Sequence, residues 1–500
     1  YKDFFLVTAP LTYAVLAACL KLFGQFYLVS RIYLALQCAL LVALTFLFCA
    51  RVLKLGKAQC VLMAVFQAVW SPQMMIGVFW YDNDSTFLTL LAGLFLWKAW
   101  SQPNGPFRWS FLGGVSCALA FWSKQDSGAG AIAGGLLVAT LWALGGVEMA
   151  DRGTAVDRCA RRHWLAFASG IAAVFSAAGL YFIAHGAFGD MVFWTVWRAL
   201  RFKLTSGELA LSNLSLEQNP SPWKFLLSPF TTPIDRSPKF VLMIYFLAPA
   251  VAWYRFQINR NRRELALMGI TLMWALSFYA GLVTHAGQGY TNKVSTFGSI
   301  LGTLWRPWPA GSPALLRGRF WNGAFALGVA MIGLRGVHYL GNTSIAGLAT
   351  VPLQSRRLAG IQVAETFKPL DSLIDYIDRN VAPDEDFLIF DYVIAYFAAQ
   401  RKNPHPVTDR HAMRPEDEAL ILERLKQRPN IGWYFHLGGS EDFSKELEFG
   451  QGRVKFYRLQ AYIKEHFRFL ESREGFTVWV RREAAPSGSS THRRRLPGRR

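Results

Sequence analysis

Asp82 and Asp84 flank Asn83 in the stretch Trp80-Tyr81-Asp82-Asn83-Asp84-Ser85-Thr86-Phe87, a hairpin-length gap between the apolar runs 58–80 and 85–98. No Lys or Arg stands beside them to neutralise them. An ionisable group at membrane depth or at its rim is costly and marks a functional site by default. A carboxylate there can take a proton from an acceptor hydroxyl or hold a cation. The plainer alternative is a polar loop between two spans. Further on, Lys124 and Asp126 separate two apolar runs, and Arg198, Arg201 and Lys203 follow, interleaved with Trp194, Trp197 and Phe202. Cations so placed can stabilise the charge on a departing phosphate without covalent chemistry. They have a bland alternative too: Lys124 as a snorkelling anchor, and 194–203 as an interfacial helix whose cations sit near the phosphates of membrane lipids.

The elements that must position these residues are apolar. Of the 500 residues 52% are hydrophobic and 17% charged, against about 25% charged in soluble domains. Apolar runs cover 5–24 (broken by Pro10), 31–50, 59–80, 84–98, 109–123, 127–146, 165–186, 239–257, 265–285, 292–305 and 320–340. The fold class is therefore a polytopic α-helical membrane protein of about 10–11 spans. The runs 84–98, 109–123 and 292–305 fall short of the ~20 residues a bilayer asks for and need flanking residues to cross. The chain opens on Tyr1 rather than Met, and a first span is expected upstream of it.

A net charge of +20 could suggest nucleic acid. Its distribution argues against that partner, because the cations fall in short linkers and in the tail His492-Arg493-Arg494-Arg495. One alternate set of linkers holds Arg51, Lys54, Lys57; Lys98, Arg108; Arg152, Arg158, Arg161, Arg162; Arg255, Arg260, Arg262, Arg263; and Arg306, Arg317, Arg319. The other set holds little besides Arg31, Lys124 and Lys293. The basic set marks the cytoplasmic side. That orientation sends Asp82, Asp84, Lys124, Asp126, the external loop 187–238, the stretch 285–293 and everything after 340 to the outer side.

Other chemistries find little support. Cys19, Cys38, Cys49, Cys60, Cys117 and Cys159 lie in or near apolar runs without metal-ligand spacing, so neither a zinc site nor a disulfide framework is expected. There is no phosphate-cradling Gly-rich motif with a lysine, which disfavours an ATP-driven pump. The glycines from Gly128 to Gly135 lie inside a span, where small residues allow close helix packing. After 340 the composition changes. Helices are expected at 367–381, 392–400, 416–428 and 457–468, alternating with strands at 387–390, 433–435 and 476–480, an α/β domain over 346–483. Residues 484–500 read as a disordered basic tail.

At this point the residues resemble a family. Tyr1-Lys2-Asp3-Phe4-Phe5, Ala9-Pro10-Leu11-Thr12-Tyr13 and Leu22-Phe23-Gly24 resemble the end of the first external loop of GT-C membrane glycosyltransferases. The nearest branch is that of protein O-mannosyltransferases and bacterial lipid A aminoarabinose transferases, with Ala9 where that branch has a proline. Tyr81 to Phe87 is similar to the family's second acidic loop, Asp82 standing at the matching position. Gly113-Gly114 to Ala118-Leu119-Ala120-Phe121-Trp122-Ser123-Lys124 is similar to a Gly-rich stretch ending in Lys, with Gln125 in place of the usual small residue. Residues 457–482 look like the tail domain of bacterial members. The leading Asp-Glu motif of the family has no counterpart, as expected if it was lost with the missing first span.

The resemblance implies transfer of a sugar, with inversion, from a polyprenyl-phosphate donor to a lipid, glycan or protein acceptor on the outer side of a bacterial inner membrane, with the C-terminal domain periplasmic. Asp82, Asp84 and Asp3 would position or deprotonate the acceptor, and Lys124, Arg198, Arg201 and Lys203 would hold the donor phosphate. No cofactor is required, and a divalent metal is optional. Two other classes stay open. One is a transporter or flippase of lipid-linked sugars using the same acids as cation or proton sites, although no paired halves are visible. The other is a non-catalytic assembly subunit.

Overall fold

The computed structural model describes residues 10–24, 27–69, 81–101, 106–143, 154–198, 236–283 and 296–306 of the first part of the chain. Of the second part it describes 350–355, 362–364, 368–390, 394–401, 403–404, 417–428, 430–437, 448–449, 454–473 and 475–482, with isolated positions at 326, 330 and 358. The expected run 320–340 and tail 484–500 lie outside the described residues, apart from positions 326 and 330. By its contacts the chain divides into two compact units, one essentially Leu6–Thr350 and the other Val351–Arg500.

The described part of the first unit is built of helices. It runs α1 (Leu11–Phe23), α2 (Tyr27–Leu47), a π-helical turn Phe48–Val52, α3 (Lys57–Val69), α4 (Tyr81–Trp100), α5 (Phe107–Ser123), α6 (Gln125–Ala143) and α7 (Thr154–Ala184). Then come α8 (Phe188–Val192), a second π-helical turn Phe193–Arg198, α9 (Arg236–Asn259), α10 (Arg262–Val283) and α11 (Phe297–Trp305). Among the described residues four stretches are long and apolar enough to cross a membrane: Leu28–Val52, Gln125–Ala143, Cys159–Ala184 and Arg262–Gly281, with mean hydropathies of 2.3, 1.2, 1.8 and 1.3. α1 is apolar but shorter.

In lipid there is little hydrophobic drive between helices, so small residues and close backbone contact must hold them. The glycines do this. A Cβ on Gly130 of α6 would strike the Leu276 carbonyl of α10, and one on Gly114 of α5 would strike the Phe167 carbonyl of α7. Trp274, fully buried in α10, packs edge-on against Phe48 at 4.9 Å and donates its indole N–H to the Thr89 carbonyl of α4 at 3.1 Å.

Contacts also fix which ends lie together. Phe95 of α4 stacks on Trp109 of α5 at 5.5 Å, while Gly113 packs against Leu96 and Ala92, so α4 and α5 are antiparallel. α6 and α10 are antiparallel too, with Gly130 on Leu276 and Gly269 on Val138. The basic linkers gather at one end. Lys98 lies over Trp109, Ser110 bonds His163, His163 stacks on Trp142, and Arg262 lies over Trp142. There Arg306 clasps Glu264 with Nη1 at 2.7 and 2.9 Å from the two carboxylate oxygens, and Arg255 donates to the Arg306 carbonyl.

The second unit is built on a four-stranded sheet. Its elements are β1 (Thr350–Pro352), β2 (Gln362–Ala364), α12 (Lys368–Asn380), β3 (Asp386–Leu388), α13 (Ile394–Ala398), α14 (Asp417–Lys426), β4 (Ile431–Leu437), β5 (Glu448–Phe449), β6 (Val454–Lys455), α15 (Tyr457–His466), β7 (Phe467–Arg473) and β8 (Phe476–Arg481). The sheet order is β3-β4-β8-β7; β3 runs parallel to β4 and the other pairs are antiparallel. α12 buries Leu370, Leu373, Ile374 and Ile377, the i, i+3, i+4, i+7 stripe of a core-facing helix. Phe387 stacks on Tyr396 at 4.7 Å, and the Tyr396 hydroxyl accepts the Ile389 N–H at 2.8 Å. One boundary differs from the sequence reading. The helix expected over 457–468 stops at His466, and Phe467 starts a strand whose pairing with β8 wins over continued helix.

Candidate functional site

Asp84 is where three helices meet. The expected loop at 82–84 is instead the first turn of α4, which starts at Tyr81. Acids there face the positive end of the helix dipole, which explains why a run of Asp, Asn and Asp begins a helix rather than a turn. Within it Asn83 and Ser85 are buried and Asp84 is partly buried. Asp84 Oδ2 accepts a hydrogen bond from the Thr12 hydroxyl of α1 at 2.6 Å, and Oδ1 accepts one from the Tyr33 hydroxyl of α2 at 2.8 Å. Among the described residues no Lys or Arg pairs with this carboxylate. Asp82 belongs to the same helical turn, but its side chain lies outside what is described. Positions two apart on a helix do not face each other, so the two acids are not a matched pair on one wall.

Lys124 is the single residue joining α5 to α6. It takes an extended conformation (φ −147°, ψ 111°); its N–H bonds the Ala120 carbonyl at 2.8 Å and its carbonyl accepts the Gly128 N–H at 2.9 Å. Lys124 is 4% exposed, buried within the helical unit, whereas a snorkelling anchor extends to the interface. Its Nζ lies 3.9 Å from Asp126 Oδ1. Asp126, in the first turn of α6, also accepts the Ser127 N–H at 2.7 Å. Gln125 gives its side-chain N–H to the Thr195 carbonyl at 3.2 Å, which ties the joint to the π-helical turn Phe193–Arg198. In that turn Phe193, Val196 and Trp197 are exposed. The loop expected at 187–238 thus opens as helix over Phe188–Arg198, while its part with Arg201 and Lys203 lies outside the described residues, as does Asp3. Arg198 is placed by its backbone alone.

The antiparallel register carries Asp84, at the start of α4, to the level of Lys124, at the end of α5. Gly281, at the end of α10, borders the same place: a Cβ there would touch Ser127 Oγ at 3.0 Å and Lys124 Nζ at 3.8 Å. The Asp84 turn and Lys124 therefore share one end of the helical unit, opposite the basic linkers. Thr12 and Tyr33 escaped the sequence reading as site residues. Thr12 stood in the quoted Ala9–Tyr13 motif, whereas Tyr33 is one polar side chain in an apolar run, and only the packing of α2 on α4 reveals its partner. Among the described residues no three His, Cys, Asp or Glu side chains converge as a metal-ligand set.

Helices of this length and hydropathy, with a separate sheet-based unit, define the class: a multi-pass helical membrane protein carrying a small α/β unit. No protein-family model matches the chain, and no curated protein matches it. Among solved structures it is similar to the oligosaccharyltransferase of Archaeoglobus fulgidus in the apo form, at 13% identity and a TM-score of 0.44, over 86% of this chain and 62% of that one. It is also similar to the archaeal oligosaccharyltransferase AglB from Archaeoglobus fulgidus in complex with an inhibitory peptide and a dolichol-phosphate, at 14% identity and a TM-score of 0.47, over 93% of this chain and 65% of that one. The chain thus spans less than two thirds of either. Neither likeness assigns a family.

Proposed function

We propose that this chain is a GT-C-type glycosyltransferase of a bacterial inner membrane that transfers a sugar, with inversion, from a polyprenyl-phosphate donor to a lipid, glycan or protein acceptor on the outer side. The single observation that supports this best is a carboxylate, Asp84, held by two neutral hydroxyls at the end of the helices that also carries the buried Lys124. The acceptor oxygen attacks the anomeric carbon as the bond from that carbon to the phosphate oxygen breaks. The acceptor proton passes to a carboxylate, for which Asp82 is the first choice and Asp3 the second. Asp84 sets the start of α4 through Thr12 and Tyr33. Lys124, with Arg198, Arg201 and Lys203, holds the leaving phosphate. The unit from 351 onward lies periplasmic and helps select the acceptor; a divalent metal is optional.

The test is incubation of the full-length protein in proteoliposomes with a panel of labelled polyprenyl-phosphate sugars. A new glycosidic product that disappears with Asp82→Asn, while the protein still inserts, supports the assignment. Label that crosses the bilayer without a new glycosidic bond would make the chain a transporter. Neither product nor movement would leave an assembly role.

A further inference from the structure

At the end away from Asp84, three cations are arranged over aromatic rings. Lys98 closes α4 and Arg108 opens α5, and both sit on the same indole: the ammonium is 4.4 Å and the guanidinium 5.2 Å from the Trp109 ring centroid. Arg162 of α7 lies 5.9 Å from the Phe107 ring. All three are exposed, and among the described residues none pairs with a carboxylate. The first turn of α5 contains no acid. Beneath them the Ser110 hydroxyl and His163 Nδ1 share a buried hydrogen bond of 2.8 Å, and the imidazole packs on Phe107 at 4.7 Å. That bond pins the start of α7 to the start of α5, so the cations project from three helices fixed to one another.

Positive charges resting on rings at the end of membrane helices complement a headgroup with an anionic phosphate and an apolar glycerol edge. The cations meet the phosphate and the rings cover the edge. We propose that the Lys98, Arg108 and Arg162 notch binds the phosphodiester headgroup of an anionic phospholipid in the leaflet at the basic end. This lipid is retained and not consumed, and its site lies at the opposite end from the one assigned to the sugar donor. The proposal therefore stands or falls independently of the transfer reaction. The linker Arg51, Lys54 and Lys57 offers a built-in control. It carries three exposed cations as well, and among the described residues none of them lies over a ring.

Native mass spectrometry of the full-length protein, titrated with phosphatidylglycerol in phosphatidylcholine micelles, reads the site directly. A cation near an anionic surface contributes about fivefold, so Lys98→Gln with Arg108→Gln and Arg162→Gln is expected to weaken retention roughly a hundredfold. Arg51→Gln with Lys54→Gln and Lys57→Gln is expected to change it less than about tenfold, since in a neutral phosphatidylcholine surround these cations gain from the anionic lipid only if it sits beside them. Equal losses from the two triples would reduce the effect to general surface charge and overturn the site. So would full retention by the first triple, or binding of free glycerol phosphate as tight as that of the lipid. If the first triple lowers the thermal midpoint, Arg108→Gln alone, an exposed side chain, must still weaken retention about fivefold, and no change would overturn the proposal.

Discussion

The two ends of the helical unit compensate charge in opposite ways. At the basic end the buried acid Glu264 is met directly by Arg306, and the surplus cations stand exposed over rings. At the other end Asp84 receives, among the described residues, only hydroxyl donors, while Lys124 is buried 3.9 Å from its near neighbour Asp126. A charge met directly by an opposite charge is spent on structure. A carboxylate held by neutral donors keeps accepting capacity for something else. The two ends therefore differ in kind: one fixes the helices through an ion pair, and the other rests a carboxylate on neutral donors.

The sharpest way to break this contrast is Asp82→Asn. Loss of a general base costs about 10²–10⁴ in rate, so turnover should fall at least a hundredfold with insertion and thermal midpoint unchanged; retained turnover removes Asp82 from the chemistry. Glu264→Gln should do the reverse. Breaking a fully buried pair costs about 3–5 kcal/mol, and with Arg306 23% exposed a loss of about 2 kcal/mol in thermal unfolding is expected, with turnover per folded molecule intact. Comparable losses of turnover in both variants would erase the distinction between the ends. Lys124→Gln should lower kcat about a hundredfold with the KM for the donor little changed, the mark of charge met only as the phosphate departs. A pure KM effect would move Lys124 from meeting the departing charge to binding the donor in the ground state. Tyr33→Phe is the mildest: one hydrogen bond to a charged oxygen contributes about 1.5 kcal/mol, read as a modest drop in midpoint and in turnover. No change in either would detach Asp84 from the site.

Much of the helical unit was legible because spanning runs are compositional. Each described stretch within the apolar runs 31–50, 59–80, 84–98, 109–123 and 127–146 is helical. The alternation of basic linkers likewise foretold that Arg255, Arg262 and Arg306 would share one end. What escaped depends on contact between distant segments. Asp82-Asn83-Asp84 reads as a loop by polarity alone, whereas the helix dipole favours these acids in a first helical turn. For Lys124 the sequence leaves a phosphate ligand and an anchor both open, because its burial follows from a one-residue joint that only the packing of α5 on α6 discloses. Phe467 looked helical because the competing partner, β8, lies further along the chain.

That joint has a mechanical corollary. Two helices coupled through a lone extended residue have no slack, so the pair behaves as one stiff bracket. Adding a single amino acid after Lys124 would turn everything beyond it by about 100°, swing Gly130 off the Leu276 backbone, and retract Gln125 from Thr195. Length at this corner is itself a specification, and an insertion scan would find tolerance dropping abruptly there.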